Sequence, residues 1–436
     1  MKSMQKVASP EILGLSRLVR LAFEQRNLAP VWQDLLDRIA DNPGDASALL
    51  DLSVMLHTSG KRDKAREIQS AALRLRQVFT CRHGTGQGLK VLAFVTAGDF
   101  MANTPLDFLL ETSNMQLILV YVDAHTAVLP EIPDHDVAFV GIGESPSNAA
   151  VLENLQRLLV DWNGAIVNNA PDRITALTRD NVASIFSGET SILAPPTHRV
   201  ARHKLLQLAS EKIHVSVLLP KHDFPVILRP LGSHAGEGME KIDTPLDIFN
   251  YLSRNGEDEF FLSPYINYAG LDRKFRKQRI AFINGKAFAC HLGVSQNWMV
   301  HYLNAQMLDN AAHREEEARW MEHFDEFAHK HCQAFAALSH IIGLDYFGID
   351  CAEMPDGRLL LFEVDVAMIV HDMDPRDCFP YKEKAMRKVF QAFQDFLQEK
   401  ADIVKLERDV LPTFLFGKLG MNIPVAHNQN APTATF

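Results

Sequence analysis

Two apolar runs between Asp345 and Met368 set the strongest constraint on how this chain folds. The first, Tyr346–Glu353, carries Asp350. The second, Arg358–Val364, follows a Pro355-Asp356-Gly357 turn and leads through Glu363 to Asp365. Asp-Gly between alternating apolar runs predicts a β-hairpin, so the two runs should pair as strands. Residues two apart on a strand share a face, which sets Glu363 beside Asp365 with Asp350 on the partner strand. Carboxylates held together among apolar neighbours repel one another and lose hydration. A hard divalent cation removes both costs, and Mg²⁺ takes one or two protein carboxylates together with substrate phosphates. The plainer alternative is a solvated strand edge, and the flanking residues are too apolar for it.

The stretch Phe224–Asp243 supplies the opposite charge. Val226-Ile227-Leu228 ends in Arg229-Pro230 and runs into a loop holding Gly232, Ser233, His234, Gly236 and Gly238. A strand that delivers a cation to a small-residue loop can close backbone N–H groups over an anion. A simple chain reversal is the other reading of such a loop. Between this loop and the acids, Arg273, Lys274, Arg276 and Lys277 read as a solvated basic face. Arg279 differs because the strand Ile280–Ile283 carries it, and its guanidinium can aim at phosphoryl oxygens or a substrate carboxylate. Asn284-Gly285 then turns the chain. A polar and aromatic cluster follows (Ser295, Trp298, His301, Tyr302, Asn304), with His301 either a base or a packed histidine. His371 and Asp372 come directly after the acids.

The remainder divides by rhythm. Apolar spacing predicts helices from about residue 10 to 80, with Asp45 capping one helix, Gly60 ending it and Asp63 starting the next. Ala48, Leu52, Leu56, Gly60, Ala65 and Ala72 fit either a tetratricopeptide-like repeat or a plain helical hairpin. Residues 81–88 read as a linker. Short apolar strands near 90–95, 117–122, 137–142 and 165–167 alternate with helices, which argues a parallel α/β sheet of about four strands. No GxGxxG follows its first strand, so a dinucleotide site is not indicated. A helical section covers Arg314–Ile342, a last helix Pro380–Lys400, and the tail from about Pro424 lacks periodicity. The expected division is 1–82 helical, 89–172 α/β, 173–402 catalytic and 403–436 a partly disordered extension.

A net charge of −10 argues against a nucleic-acid binder. The five cysteines lack CxxC spacing and read as reduced thiols. The N-terminus shows no apolar signal core and no run approaches a membrane span, so the chain is expected to be soluble and cytoplasmic.

The order of these motifs over about Ala165–Leu397 resembles the ATP-grasp superfamily of carboxylate–amine ligases. It runs from a helix bearing Lys204 through Arg229 with its Gly-rich lid and the hinge-like FFLSPYINY to RIAFINGK, Asp350 and FEVD at 362–365. The resemblance implies an α/β fold in which a repeat-like helical region and an α/β domain precede a two-lobed ATP-grasp module. It implies ATP and Mg²⁺ as cofactors. Lys204 and Arg229 would meet the phosphates, and Ser263, Tyr265 and Ile266 would line the adenine hinge. The lid of Gly232, Ser233, His234, Gly236 and Gly238 would cover the β- and γ-phosphates. Arg279 would steady the transferring group, and Asp350, Glu363 and Asp365 would hold Mg²⁺. This chain departs from the family pattern at Arg229, where lysine is usual, at Ser263-Pro264, where acids are usual, and at Asp365, where asparagine is common.

The implied activity is ATP-dependent activation of a small-molecule or peptide carboxylate as an acyl phosphate, followed by amine attack. A kinase on the same scaffold is a second reading. A degenerate nucleotide-binding protein that acts through its helices is a third. The N-terminal helices would serve a protein or peptide partner, or homo-oligomerisation.

Overall fold

The computed structural model describes residues 11–233 and 236–418. His234 and the tail beyond 418 lie outside the described residues. The chain begins with four helices, α1 (Leu15–Phe23), α2 (Ala29–Asp41), α3 (Ala46–Thr58) and α4 (Arg62–Leu75). Asp45 caps α3 by accepting the Ala48 N–H at 3.0 Å, satisfying one of the orphan donors of the first turn. Leu18, Leu35, Ala48, Leu52, Leu56 and Ala65 form a small core between these helices, whereas Ala72 and Leu50 turn towards the first sheet.

That sheet contains β1 (Val78–Arg82), β2 (Lys90–Val95), β3 (Gln116–Tyr121), β4 (Val137–Val140) and β5 (Ile166–Val167), in the order β1-β3-β2-β4-β5. Strands β2 to β5 are parallel, and β1 joins β3 antiparallel. The expected helix-to-linker passage at 76–88 is therefore corrected. Phe79 and Cys81 alternate inward while their neighbours face out, a period of two that a short run embedded among helical signals concealed.

A four-stranded antiparallel sheet follows, from β7 (His198–Ala201), β8 (Val226–Pro230), β9 (Glu240–Ile242) and β10 (Glu259–Pro264), ordered β7-β10-β8-β9. It packs on the helices Arg202–Ala209 and Pro245–Arg254 through Leu205, Leu208, Ile248 and Tyr251, with Val226, Leu228, Phe260 and Leu262 facing them. This core is separate from all the others. The third sheet has the order β12-β11-β13-β14-β6. Its members are β6 (Ile192–Leu193), β11 (Phe275–Ile283), β12 (Lys286–Ser295), β13 (Tyr346–Glu353) and β14 (Leu359–Asp365). The expected hairpin of β13 and β14 forms, antiparallel. The two-residue β6, which pairs with β14 in parallel, was too short to carry a pattern.

One core joins the first and third sheets. The last helix, Lys382–Lys418, longer than expected, runs between them. Its Phe393 meets Phe139 of β4 and Tyr346 of β13 at ring separations of 6.0 and 5.2 Å. Asn168 exchanges two hydrogen bonds of 2.8 Å with the backbone of Tyr346 and so locks the end of β5 onto β13. Helix α1 is tied at both ends of this unit. The Ser16 N–H donates to Asp107 at 2.6 Å, and Arg20 pairs with Glu111 and Asp372, each at 2.6 Å.

Charge-assisted bonds in such partly shielded positions contribute on the order of 2 kcal/mol. Arg20→Ala is therefore expected to lower stability to urea by about that amount and to speed proteolysis of the connection after α1. Unchanged unfolding and cleavage would remove α1's anchoring role.

Candidate functional site

A cavity of about 530 Å³ lies between the four-stranded sheet and the third sheet, within the ordinary range for small-molecule sites. Strand alternation builds one wall. On β8 and β10 the even-numbered positions Val226, Leu228, Phe260 and Leu262 fill the core. The odd-numbered Ile227, Arg229, Phe261 and Ser263 therefore line the cavity. Tyr265 and Ile266 continue that wall, and Tyr265 meets Trp298 edge to face at 5.8 Å.

The facing wall is a polar row across four strands, in which burial holds the His291 imidazole uncharged. His291 on β12 pairs in register with Arg279 on β11, Arg279 with Asp350 on β13, and Asp350 with Glu363 on β14. Two irregularities create this row. Register slips at Arg279/Ile280 bring His291 rather than Cys290 opposite Arg279, and at Asp350/Cys351 bring Glu363 rather than Phe362 opposite Asp350. A one-residue slip turns a side chain to the other face.

Asp350 is buried and doubly clamped. Arg279 donates Nε and Nη2 to its two oxygens at 2.8 and 3.0 Å, and Lys277 Nζ adds a contact of 2.8 Å. Burial alone would raise the Asp350 carboxyl, but the two cations hold it well below the usual range. Arg279 also donates to the Ile369 carbonyl at 3.2 Å. Glu363 pairs with Arg179, and the nearby cations lower it against the effect of burial. Asp365, two residues on, accepts the Ala367 N–H at 2.8 Å and is pushed up to about 7 by burial and by Glu363.

Arg229 is almost fully buried. Among the described residues it forms no ion pair, donating instead to Ser233 Oγ at 2.9 Å and to the Ser233 carbonyl. Burial and the neighbouring Arg179 push it down to about 10. A buried cation at the end of β8, hydrogen-bonded to the loop and with Glu363 nearby but in no ion pair with it, is suited to an anion from outside. The loop itself needs glycine: Gly232 has φ +72° and Gly238 φ +65°, and a Cβ at Gly238 would come within 2.8 Å of Pro230.

Of the residues expected at a site, the structure brings Arg229, Gly236, Ser263, Tyr265, Ile266, Arg279, His301, Asp350, Glu363 and Asp365 to this cavity. Gly232 and Ser233 line a smaller adjoining cavity of about 60 Å³ that shares Arg179, Glu363 and Asp365. Lys204 is not brought to either: it is exposed on the helix Arg202–Ala209, whose inner face is filled by Leu205 and Leu208. Gly238 lines neither cavity; its carbonyl accepts from the Tyr251 hydroxyl at 2.8 Å. Trp298, Tyr302 and His371 line the large cavity.

Lys277 corrects the reading of a wholly solvated basic run. Arg276 pairs with Asp272 and Glu316, whereas Lys277 lies on the Arg279 face of β11. Period-two spacing from Arg279 was the signal for it. Arg179, at the start of the helix Arg179–Ile185, had no such signal. His291 meets Tyr302 at a tilt, with ring centroids 4.5 Å apart. Behind them Glu317, fully buried, accepts from the Leu292 N–H at 3.0 Å and from Tyr302 and Tyr381 at 3.2 and 2.6 Å. It also lies 3.1 Å from Lys382.

The acids fit Mg²⁺ unequally. Glu363 and Asp365 suit it, because a cation would relieve the repulsion that raises Asp365. Asp350, expected as a third ligand, has both oxygens engaged by Arg279 and Lys277. The ligand atoms of the three acids do not gather within 4.8 Å of one another. Among the described residues only Cys81, His83 and Asp107, behind α1, form such a buried group.

No family model matches the chain, and no curated protein matches it. Among solved structures it is similar to a RimK domain ATP-grasp protein from Sphaerobacter thermophilus, with 14% identity over 71% of this chain and 99% of that one and a TM-score of 0.39. It is also similar to the D-alanine–D-alanine ligase of Coxiella burnetii, with 11% identity, 75% and 99% coverage and a TM-score of 0.44. The VanG D-Ala:D-Ser ligase of Enterococcus faecalis gives 12%, 72%, 100% and 0.44 in the same order. Likeness this distant does not carry an activity across. Among the described residues no helix is long and apolar enough to cross a membrane.

A carboxyl raised in the folded state keeps its proton while the unfolded chain loses it, so Asp365 costs stability as pH rises from about 4 to about 7. Without added metal, Asp365→Asn is expected to become progressively more stable than the parent over that window, read by urea midpoints. A constant difference across pH would show that Asp365 titrates normally.

Proposed function

We propose that this protein is an ATP-dependent ligase that activates a carboxylate as an acyl phosphate for attack by an amine. The observation that carries the reading is the single cavity with an anion-seeking Arg229 on one wall and the His291–Arg279–Asp350–Glu363 row on the other. The motif order that resembles the ATP-grasp superfamily supports it independently. In the reaction a carboxylate oxygen bonds to the γ-phosphorus of ATP and the bond to ADP breaks. The amine nitrogen then bonds to the acyl carbon, phosphate leaves, and the amine gives up a proton.

The chain's share is positioning and charge neutralisation. Arg229, held by Ser233, meets phosphoryl oxygens as the loop covers them. Glu363 and Asp365 are the residues that would hold Mg²⁺, which supplies charge neutralisation at the phosphates when bound. Arg279 is oriented by Asp350 and the Ile369 carbonyl, and so presents a fixed donor edge to the transferring group or the substrate carboxylate. Tyr265 and Ile266, beside Ser263, offer an apolar wall for a base. His301, half-buried in the cavity, has its imidazole pushed down by burial, then by Lys277 and Arg279. It is thereby kept neutral and able to take the amine proton. The tetratricopeptide-like positions Ala48, Leu52, Leu56, Ala65 and Ala72 are all buried within the protein, so a partner would have to meet other faces of these helices.

With Mg·ATP, a panel of carboxylic acids and hydroxylamine as the amine, ADP release should be matched by hydroxamate formation. Failure to bind a magnesium nucleotide would overturn the reading. A phosphorylated acid that persists when amine is present would favour the kinase. Glu363→Gln is expected to reduce turnover by about 10²-fold or more with circular dichroism unchanged, and ordinary turnover would remove its metal role.

A further inference from the structure

We propose that the acid taken by this site bears a large apolar side chain, and that helix α1 forms the wall that recognises it. The inference rests on the carboxylate-activating reading above and names its substrate class. Three residues of α1, Leu15, Val19 and Phe23, line the cavity. They stand at i, i+4 and i+8, one stripe of a helix. The other side of α1 is already satisfied, with Leu18 buried against the small helical core. Leu15 and Val19 are half-buried, and Phe23 remains 41% exposed.

Phe100, Met101 and Phe108, from the segment after β2, line the same cavity beside α1. His371 lies near both, 6.2 Å from the Phe23 ring and 6.3 Å from the Phe108 ring. Burial pushes the His371 imidazole down to about 4, so at neutral pH it presents an uncharged ring. Arg20 and Asp372 pair with each other, and Arg20 also pairs with Glu111.

The charged lining residues, by contrast, all come from the helix at Arg179 and from the facing strands of the two sheets. Charged residues confined to the strands and to Arg179, with an uncharged stretch along α1, match an amphiphilic acid. The carboxylate would lie by Arg279 and the side chain would lie against α1. The Ile369 carbonyl links the two, since it holds Arg279 two residues before His371. A residue that opens or fills such a wall changes selection by about tenfold or more per methylene.

The test titrates N-acetylglycine, N-acetylleucine and N-acetylphenylalanine into the full-length protein, with and without Mg²⁺ and a non-hydrolysable ATP analogue. Affinity is expected to rise at least about tenfold from N-acetylglycine to the better of the two apolar acids. Phe23→Ala, at a half-exposed ring, and Val19→Asp should each shrink that ratio severalfold. Equal affinity for the three acids, no binding of any of them, or an undiminished ratio in both variants would overturn the inference. Loss of nucleotide binding alone would count against the ligase reading, because the side-chain ratio is read without nucleotide as well.

Discussion

The buried pair of Asp350 and Arg279, with Lys277 alongside, is the contact on which the rest of the site depends. Each charge taken from water carries a desolvation cost that only close, well-oriented partners offset. The bidentate fork supplies that geometry, and it does so between neighbouring strands, so the same contact that neutralises the charges also fixes β11 against β13. Once Arg279 is oriented, its Nη1 reaches the Ile369 carbonyl, and the segment that follows β14 is placed as well. The row His291–Arg279–Asp350–Glu363 is thus both a piece of sheet architecture and the polar face of the cavity.

Much of this was legible in the residues and some was not, for physical reasons. The Asp-Gly turn and the apolar runs beside it specified the β13–β14 hairpin. The Val226–Pro230 strand and its glycines specified a cation next to a tight loop. Period-two spacing also contained Lys277, once Arg279 was taken to face inward. The exact partner of each charge was hidden because it depends on two register slips, and no local preference announces a bulge within an otherwise regular strand. Arg179 was hidden for another reason: it reaches Glu363 from a distant turn, a tertiary contact with no periodic trace. Lys204 marks the opposite case. The resemblance put it at the phosphates, but the inner face of its helix belongs to Leu205 and Leu208, leaving the lysine outside.

Strand β1 shows how neighbouring signals mask one another. Val78–Arg82 alternates as a strand should, yet it directly follows a long helix and precedes a Gly-rich connection, so its five residues read as the end of one and the start of the other. Its pairing with β3 welds the N-terminal helices to the first sheet. Because of it, α1 is presented across the cavity rather than tethered at a distance.

The separateness of the small core under the four-stranded sheet has a mechanical meaning. On the other side, Glu317 gathers a lysine, two tyrosines and a backbone amide beneath His291 and Tyr302, and the long C-terminal helix wedges the first and third sheets into one body. That body forms the floor of the cavity. The unit bearing Arg229 and its glycine loop keeps its own interior intact whichever way it leans, so tilting it over the floor would disturb only the seam between them. Bending either half would break buried apolar contacts.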